Sequence, residues 1–271
     1  MRKSREKCKS SALVSSAAWQ TGQVGTAKEP QGVRARARAE LLDEVGRVAR
    51  AHLAESGAAG LSVRAIAREL GLASSALYRY YPSRDALLTQ LIIEAYNELG
   101  DEVETHEATF ERADLAGRYA GTCHAVRNWA RAHPHEYALI YGSPVPGYAA
   151  PDDTIDPAVR VAQVFLRLAA DIDPAGLALR VDGPIDAVLL DQFSALTDPM
   201  GLDIEADVLA LGVTLWAQLF GIVSFELFGT FNNTFEPADA IFERHIGLGA
   251  VALGLDRDGL LQPCERATVD M

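Results

Sequence analysis

The strongest constraint on the fold is a pair of short amphipathic helices joined by a glycine-containing turn. The first is predicted to begin after Ser62, a good N-cap residue, and to end at Gly71. Its apolar residues share one helical face: Val63, Ile66, Ala67 and Leu70. The second is predicted over residues 74–81, capped by Ser74 or Ser75. A helix, a tight turn and a second helix form the outline of a helix-turn-helix.

Helical periodicity continues on both sides of this pair, and strand signals are nearly absent. A first helix is predicted from Arg34 to Gly57, and a long fourth helix from Arg84 to Val103. Further helices are predicted over residues 108–132, 134–142, 157–170, 185–196, 203–228 and 238–255. The stretch 141–157 carries four prolines and two glycines, which predicts a connecting loop. We therefore expect an all-α fold.

The net charge of −12 is divided unevenly along the chain. Residues 1–90 hold 15 Lys and Arg against 8 Asp and Glu, a net charge of +7, and the remainder has a net charge of −19. A basic module joined to an acidic body suits a protein that holds nucleic acid at one end only, because phosphates respond to local charge.

Cysteine usage and hydropathy predict a cytoplasmic protein that does not span a membrane. Cys8, Cys123 and Cys264 are far apart and have no disulfide-type or zinc-type spacing. The basic start of the chain lacks a strong apolar region of the kind that signal peptides contain. The most apolar stretch, Leu209 to Phe228, includes four polar residues and is predicted to be a helix buried within protein.

The segment GLSVRAIARELGLASSALYRYYPSRDALL, residues 60–88, closely resembles the DNA-binding signature of TetR/AcrR-family transcriptional regulators. Two later segments resemble the C-terminal domain of actinobacterial members: ARAHPHEYALIYGSPVPGY, residues 130–148, and WAQLFGIVSFELFG, residues 216–229. The resemblance implies a three-helix DNA-binding domain at the N-terminus and a larger helical domain that binds ligand and dimerises. The expected division is a disordered tail at 1–33, a helix-turn-helix domain at 34–100, a regulatory domain at 101–258 and a second tail at 259–271. A start codon within residues 1–33 would shorten the first tail, an alternative that the sequence leaves open.

The resemblance also assigns residues to double-stranded DNA. Arg64 and Arg79 are expected to reach base edges, since a guanidinium can bind guanine in a bidentate way. Ser74 and Ser75 are expected to point the same way as Arg79, and Ser74 and Ala76 could add a hydrogen bond and a methyl contact. The residues expected to hold phosphates are Ser62, Tyr78, Tyr80 and Arg84.

Two positions depart from the family pattern. Ala73 stands where a serine is common, so the cap is expected to move to Ser74 or Ser75, and Arg84 replaces a common lysine. The alternative that residues 60–88 are only a helical packing unit is disfavoured by the tyrosines, the arginines and the local charge.

A small-molecule effector is expected to bind between helices near 124–141 and 209–222. The candidate walls are aromatic, with two polar groups beside them: Trp129, Tyr137, Tyr141, Phe165, Trp216 and Phe220, with His124 and Gln218. Aromatic residues at helical spacing also occur in plain cores, so that alternative stays open.

The last two helices are expected to form a homodimer interface. Residues 209–228 are apolar on nearly every side, so a second copy could cover the side that their own domain leaves free. The predicted interface residues are Ile222, Phe225, Phe242, His245 and Leu248.

No catalytic residue, cofactor or metal is predicted. Gly247–Ala252 matches a dinucleotide fingerprint but does not follow a strand, and His133 and His135 lack the spacing of a helical ligand pair. The predicted function is that of a homodimeric repressor released from a palindromic operator by a small molecule. A ligand-independent or activating regulator of this fold, or an enzyme with a helical domain, are the alternatives.

Overall fold

The computed structural model describes residues 32–255, and for Val33 and Arg34 it describes the backbone only. The tails predicted at 1–33 and 259–271 fall outside this range apart from residues 32 and 33. All regular structure between residues 32 and 255 is helical, as predicted. The α-helices are α1 Val33–Gly60, α2 Val63–Glu69, α3 Ser74–Leu77, α4 Arg84–Glu107, α5 Leu115–Ala132, α6 Pro134–Tyr141, α7 Ile155–Ala169, α8 Ala187–Thr197, α9 Ala206–Leu227 and α10 Asp239–Ala252.

Several helix boundaries differ from the predictions, and two of them have a clear local cause. The helix predicted from residue 108 begins only at Leu115, because the Asp114 side chain accepts a hydrogen bond from the Gly117 N–H at 2.8 Å and caps α5 there. The first helix leaves helical geometry at Gly57, where φ is +64°, and one further turn extends it to Gly60.

The first three helices and the start of α4 surround a small apolar core. Val45 and Val48 of α1, Ile66 of α2 and Leu77 of α3 are buried against Leu88 of α4. Each helix presents one apolar face to this core, as the spacing of its residues predicts. We call this unit the head.

The remaining helices surround a larger core, which we call the body. Helix α4 contributes to both units, because Leu87, Leu88 and Leu91 lie in the head core while Leu99 and Val103 lie in the body core. The predicted domain boundary at residue 100 therefore falls inside one continuous helix.

Polar contacts fix the head against the body. Arg50 Nη2 of α1 lies 3.1 Å from a Glu94 carboxylate oxygen and 2.9 Å from one of Glu98, both on α4. In the loop after α6, the Tyr148 hydroxyl lies 2.8 Å from the Thr89 hydroxyl of α4. The loop predicted at 141–157 thus packs on the helix that both cores share.

A buried arginine joins three helices of the body. Arg127 of α5 donates two hydrogen bonds to the Glu226 carboxylate of α9, at 2.7 and 2.8 Å, and lies 2.9 Å from Asp239 of α10. Two carboxylates compensate the charge of a side chain that is 4% exposed.

Gly249 of α10 allows the last helix to approach α5. A Cβ at Gly249 would overlap the hydroxyl of buried Tyr119, whereas a Cβ at Gly212 of α9 would meet no atom within 4 Å. Replacing a mid-helix glycine by alanine gains about 1 kcal/mol of helix propensity at either site.

We predict that Gly249→Ala lowers the free energy of unfolding by about 1 to 3 kcal/mol, because overpacking outweighs the propensity gain. Gly212→Ala is the matched control and should be neutral or stabilising. Urea unfolding monitored by circular dichroism measures both. A shift of the same sign and size in the two variants would contradict the packing explanation.

Candidate functional site

The angle between α2 and α3 is set by one glycine. Gly71 has a φ of +67°, a backbone conformation that residues other than glycine rarely adopt. The Leu72 N–H donates a hydrogen bond to the Ala67 carbonyl at 2.8 Å. Ser62 caps α2 as predicted, accepting the Ala65 N–H at 3.3 Å. Its hydroxyl hydrogen stays free to donate to a phosphate.

Capping of α3 by Ser74 or Ser75 was a wrong prediction. Ala73 occupies the N-cap position with an extended backbone and no side-chain hydrogen bond, and Ser74 is already the first helical residue. Regular α-helix ends at Leu77, and hydrogen-bonded turns carry the chain on to Tyr81. The segment predicted as a two-turn helix is therefore shorter.

The two sides of this recognition segment differ in exposure. Leu77 and Tyr81 are buried in the head core, as predicted, and Ser75 and Arg79 are exposed. The remaining assigned residues of the segment are half-buried: Ser74, Ala76, Tyr78 and Tyr80. Small, polar and cationic groups thus share the outer side.

Exposed arginines on neighbouring helices widen this basic surface. Arg64 of α2 is exposed, and so is Arg68 one turn later. The Arg38 guanidinium of α1 lies 5.4 Å from the centre of the Tyr80 ring, a cation–π contact. Sequence reasoning missed Arg68 and Arg38; the four-residue spacing of Arg64 and Arg68 was the available signal for the first.

Arg84 makes a contact within the chain that the sequence did not predict. Its Nη2 donates to the Ala58 carbonyl at 2.6 Å, which ties the start of α4 to the end of α1. Ser83 caps α4 by accepting the Ala86 N–H at 3.0 Å. Arg84 therefore positions α4, and a phosphate would compete with a backbone carbonyl for its guanidinium.

An apolar cavity of about 260 Å³ lies between α7, α8 and α9. Its lining carries no charged side chain: Ala162, Phe165, Leu166, Ala169, Leu196, Leu209, Gly212, Val213 and Trp216. Of the predicted effector residues, Phe165 and Trp216 line this cavity. A site of this kind suits a small uncharged molecule.

The predicted cavity between residues 124–141 and 209–222 is instead packed with aromatic rings. Ring centres of Tyr141 and Phe220 are 4.3 Å apart, and those of Tyr137 and Tyr141 are 5.2 Å apart. Tyr137 is fully buried and donates to the Phe220 carbonyl at 3.1 Å. Desolvation raises the pKa of Tyr137 to about 12, so it stays a neutral donor. Tyr137, Phe220 and Trp129 are buried core residues, and half-buried Tyr141 packs against them.

Both predicted polar handles lie elsewhere. Gln218 is exposed on the outer side of α9. His124 of α5 faces α10. Its Nε2 lies 3.4 Å from a Glu243 carboxylate oxygen, and its ring packs against Phe242. The assignment of His124 and Gln218 to a pocket is therefore corrected.

A second cavity, of about 430 Å³, lies at the junction of head and body. Its walls come from α4, α6, α7 and the loop between the last two, and include Tyr96, Tyr148 and Ala158. The Tyr96 hydroxyl donates to the Ile140 carbonyl at 3.3 Å, so both tyrosine hydroxyls already have partners within the chain.

The predicted dimer residues differ in their exposure. Phe225 and Leu248 are more than half exposed, and Ile222 and His245 are half-buried. Phe242 is 1% exposed and points into its own core, with the Arg127 guanidinium 4.5 Å from its ring centre, so its assignment to the interface was wrong.

Helix α9 also exposes apolar side chains on its outer face. Val213 and Phe228, which sequence reasoning did not select, are exposed together with Phe225. Among the described helices, α9 is the one long and apolar enough to cross a membrane by length and composition, and 33% of its most apolar window is buried. Core helices of globular proteins meet the same criterion, and α9 packs into the body core through Leu215 and Leu219.

A helix-turn-helix head with exposed arginines on an all-helical body is the architecture of a DNA-binding regulator. The profile of bacterial regulatory proteins of the tetR family matches residues 47–91, and that of the tetracyclin repressor-like C-terminal domain matches residues 119–248. The HTH-type transcriptional regulator Rv1816 of Mycobacterium tuberculosis is 38% identical over 202 residues, which cover 74% of this chain and 86% of that protein.

Solved structures agree with these matches. The regulatory protein SCO4313 aligns with a TM-score of 0.64 and 33% identity over 79% of this chain and 97% of that one. A Rhodococcus sp. RHA1 protein of unknown function aligns with a TM-score of 0.58 over 77% of this chain and 93% of that one; at 22% identity it shares the fold. The chain belongs to the TetR family and is a DNA-binding transcriptional regulator rather than an enzyme.

We predict that Arg79→Ala and Arg64→Ala each weaken operator binding by about 1 to 3 kcal/mol and relax base selectivity at one position. Tyr78→Ala should weaken operator and scrambled duplexes alike, as loss of a phosphate contact does. Fluorescence anisotropy on a duplex selected by the wild-type protein from random sequences measures both effects.

Arg112→Ala, which removes an 83% exposed arginine from the body, controls for the loss of one positive charge. Full affinity and selectivity in folded Arg79→Ala and Arg64→Ala proteins would exclude these arginines from base recognition.

Proposed function

We propose that this regulator is a cytoplasmic homodimeric repressor that binds a palindromic operator and is released by a small uncharged molecule held in the body. The observation that carries the proposal is the double role of α4, whose first half belongs to the head core and whose second half belongs to the body core. A ligand that shifts the body changes the packing around α4, and the head moves with it.

For DNA, we propose that each head of the homodimer contacts one half of the palindromic operator through the recognition segment and α2. Arg79 and Ser75 are exposed on the recognition segment, and Arg64 is exposed on α2. We assign the arginines to base edges and Ser74, Ser75 and Ala76 to the groove wall. Ser62, Tyr78, Tyr80 and Arg84 are assigned to the phosphates on either side.

For the homodimer, we assign the outer faces of α9 and α10. Phe225 and Leu248 leave apolar surface that the described part of the chain does not cover, and Ile222 and His245 border it. Two copies related by a two-fold axis would bury these faces in a four-helix interface. A palindromic operator requires the same symmetry.

We predict that Phe225→Glu produces a monomer that binds operator far more weakly, since a buried unpaired carboxylate costs several kcal/mol. Ile155→Glu is the matched control, because Ile155 is also 51% exposed but lies at the start of α7. Light scattering and operator titration measure the two properties. A Phe225→Glu protein that remains dimeric would place the interface elsewhere.

For the effector, the apolar cavity between α7, α8 and α9 is the proposed site. Ring contacts lead from it to α4: Trp216 to Phe220 at 5.0 Å, Phe220 to Tyr141 at 4.3 Å and Tyr141 to Tyr96 at 6.1 Å. A ligand that favours the DNA-incompetent conformation would change operator affinity by about 1 to 3 kcal/mol.

We predict that Ala162→Phe, which fills this cavity, abolishes the response to an effector found by screening uncharged aromatic compounds against the operator complex. Ala158→Phe, one turn earlier on α7, fills the junction cavity instead and should leave the response intact. Operator affinity without effector should be unchanged in both. The reverse pattern would place the effector at the junction of head and body.

A further inference from the structure

The segment between α7 and α9 exposes more apolar surface than any comparable stretch of the described chain. Six of the twelve large apolar side chains that are exposed within residues 32–255 lie in it: Leu179, Val181, Val188, Leu189, Leu190 and Leu196. Val181 is 84% exposed. We call residues 179–196 the arm. Apolar surface concentrated in this way is typical of a contact site.

The arm is fixed at both ends and has little contact with its own body between them. At its start, Leu177 is buried and the Ala178 N–H donates to the Ala252 carbonyl at the end of α10, at 3.1 Å. Near its end, Phe193 is the one buried residue of the arm, and Thr197 directly after it is buried too. The arm is thus anchored next to both helices of the proposed dimer face.

The exposed surface of the arm continues into the outer face of α9. Leu196 of α8 and Val213 of α9 line the same apolar cavity, and Val213 is also 45% exposed. Val213 belongs to the outer face of α9 that carries Phe225 and Phe228. Leu196 and Val213 at the cavity therefore connect the arm with the outer face of α9.

We propose that the arm packs against a second copy of this chain and that the cavity becomes enclosed only in the dimer. The proposal rests on the homodimer of the proposed function and adds to it a second contact area and a role for the partner in holding the effector. A second copy fits this surface because the arm adjoins α9 and α10, so a chain covering those helices also reaches the arm.

One side of α8 carries the contact. At about 100° per residue, Val188, Leu189 and Leu196 fall within a single arc, and Ser194 lies nearly opposite its centre. All four are exposed in the single chain. Substitutions at Val188, Leu189 and Ser194 can therefore test the contact without disturbing the core of the protomer.

A cavity closed by the partner couples dimerisation to effector binding. A ligand that contacts both chains stabilises the dimer, and the dimer raises the affinity for the ligand by the same factor. The dimer-to-monomer ratio then changes the apparent affinity of the cavity, which a pocket enclosed by one chain would not show.

The first test compares Val188→Glu/Leu189→Glu with the control Ser194→Glu in the full-length protein. We expect the double variant to raise the dimer dissociation constant by about tenfold or more, because two carboxylates would be buried without partners, and the control to behave like wild type. Analytical ultracentrifugation measures the constants, and circular dichroism checks that both proteins are folded. Wild-type dimerisation of the folded double variant would overturn the proposal.

The second test is photo-crosslinking from a single substituted position in the full-length protein. Benzoylphenylalanine in place of Leu189 should give covalent dimers on irradiation, and the same group in place of Ser194 should give few. Absence of crosslinked dimers at position 189 would overturn the arm contact.

A third test measures ligand binding by the wild-type protein. Neutral N-phenyl-1-naphthylamine serves as the cavity probe, and its apparent affinity should rise with protein concentration through the dimerisation range. A probe affinity that does not depend on protein concentration would overturn the shared cavity.

These outcomes separate the arm from the rest of the proposed function. If Phe225→Glu gives monomers while Val188→Glu/Leu189→Glu dimerises normally, the α9 interface stands and the arm contact is wrong. If both proteins dimerise normally, the proposed dimer interface itself is wrong.

Discussion

The rest of the structure depends on the packing of one helix in two cores. Leu87 and Leu91 hold the first half of α4 in the head, and Leu99 and Val103 hold its second half in the body. A continuous helix transmits rotation and displacement along its axis, since its backbone hydrogen bonds resist bending. In the proposed function, a displacement of the body helices that pack on α4 would move the head with them.

The body pairs its buried arginine with carboxylates and leaves part of its apolar surface exposed. Arg127 is buried with Glu226 and Asp239, so α5, α9 and α10 are joined by a compensated ionic contact. The outer face of α9 and the arm keep apolar side chains in solvent within the described chain. Because exposed apolar surface is unfavourable in water, a second copy that covers it in the proposed homodimer would stabilise the chain.

Much of the candidate site could be predicted from local sequence. The spacing of Val63, Ile66 and Ala67 defined the buried face of α2, and the Gly71 turn follows from a backbone conformation that glycine adopts most easily. The family resemblance then assigned roles to residues 62–84. The prediction of a serine cap for α3 was wrong because the turn places residue 73 at the N-cap position whatever its side chain. Arg84 was judged by residue type alone, and its bond to Ala58 is a long-range contact.

What the sequence by itself determined was the all-helical fold, the helix-turn-helix and the family, because these depend on periodicity, caps and turns within a few residues of each other. Only the tertiary structure decided which apolar residues are core and which are surface. Tyr137 and Phe242 were placed in a pocket and an interface, yet both are buried in the body, while Val213 and the arm are exposed. An aromatic or aliphatic side chain has the same sequence signature in a core, a cavity wall or an interface, since all three exclude water. The packing of the body helices on one another distinguishes them here.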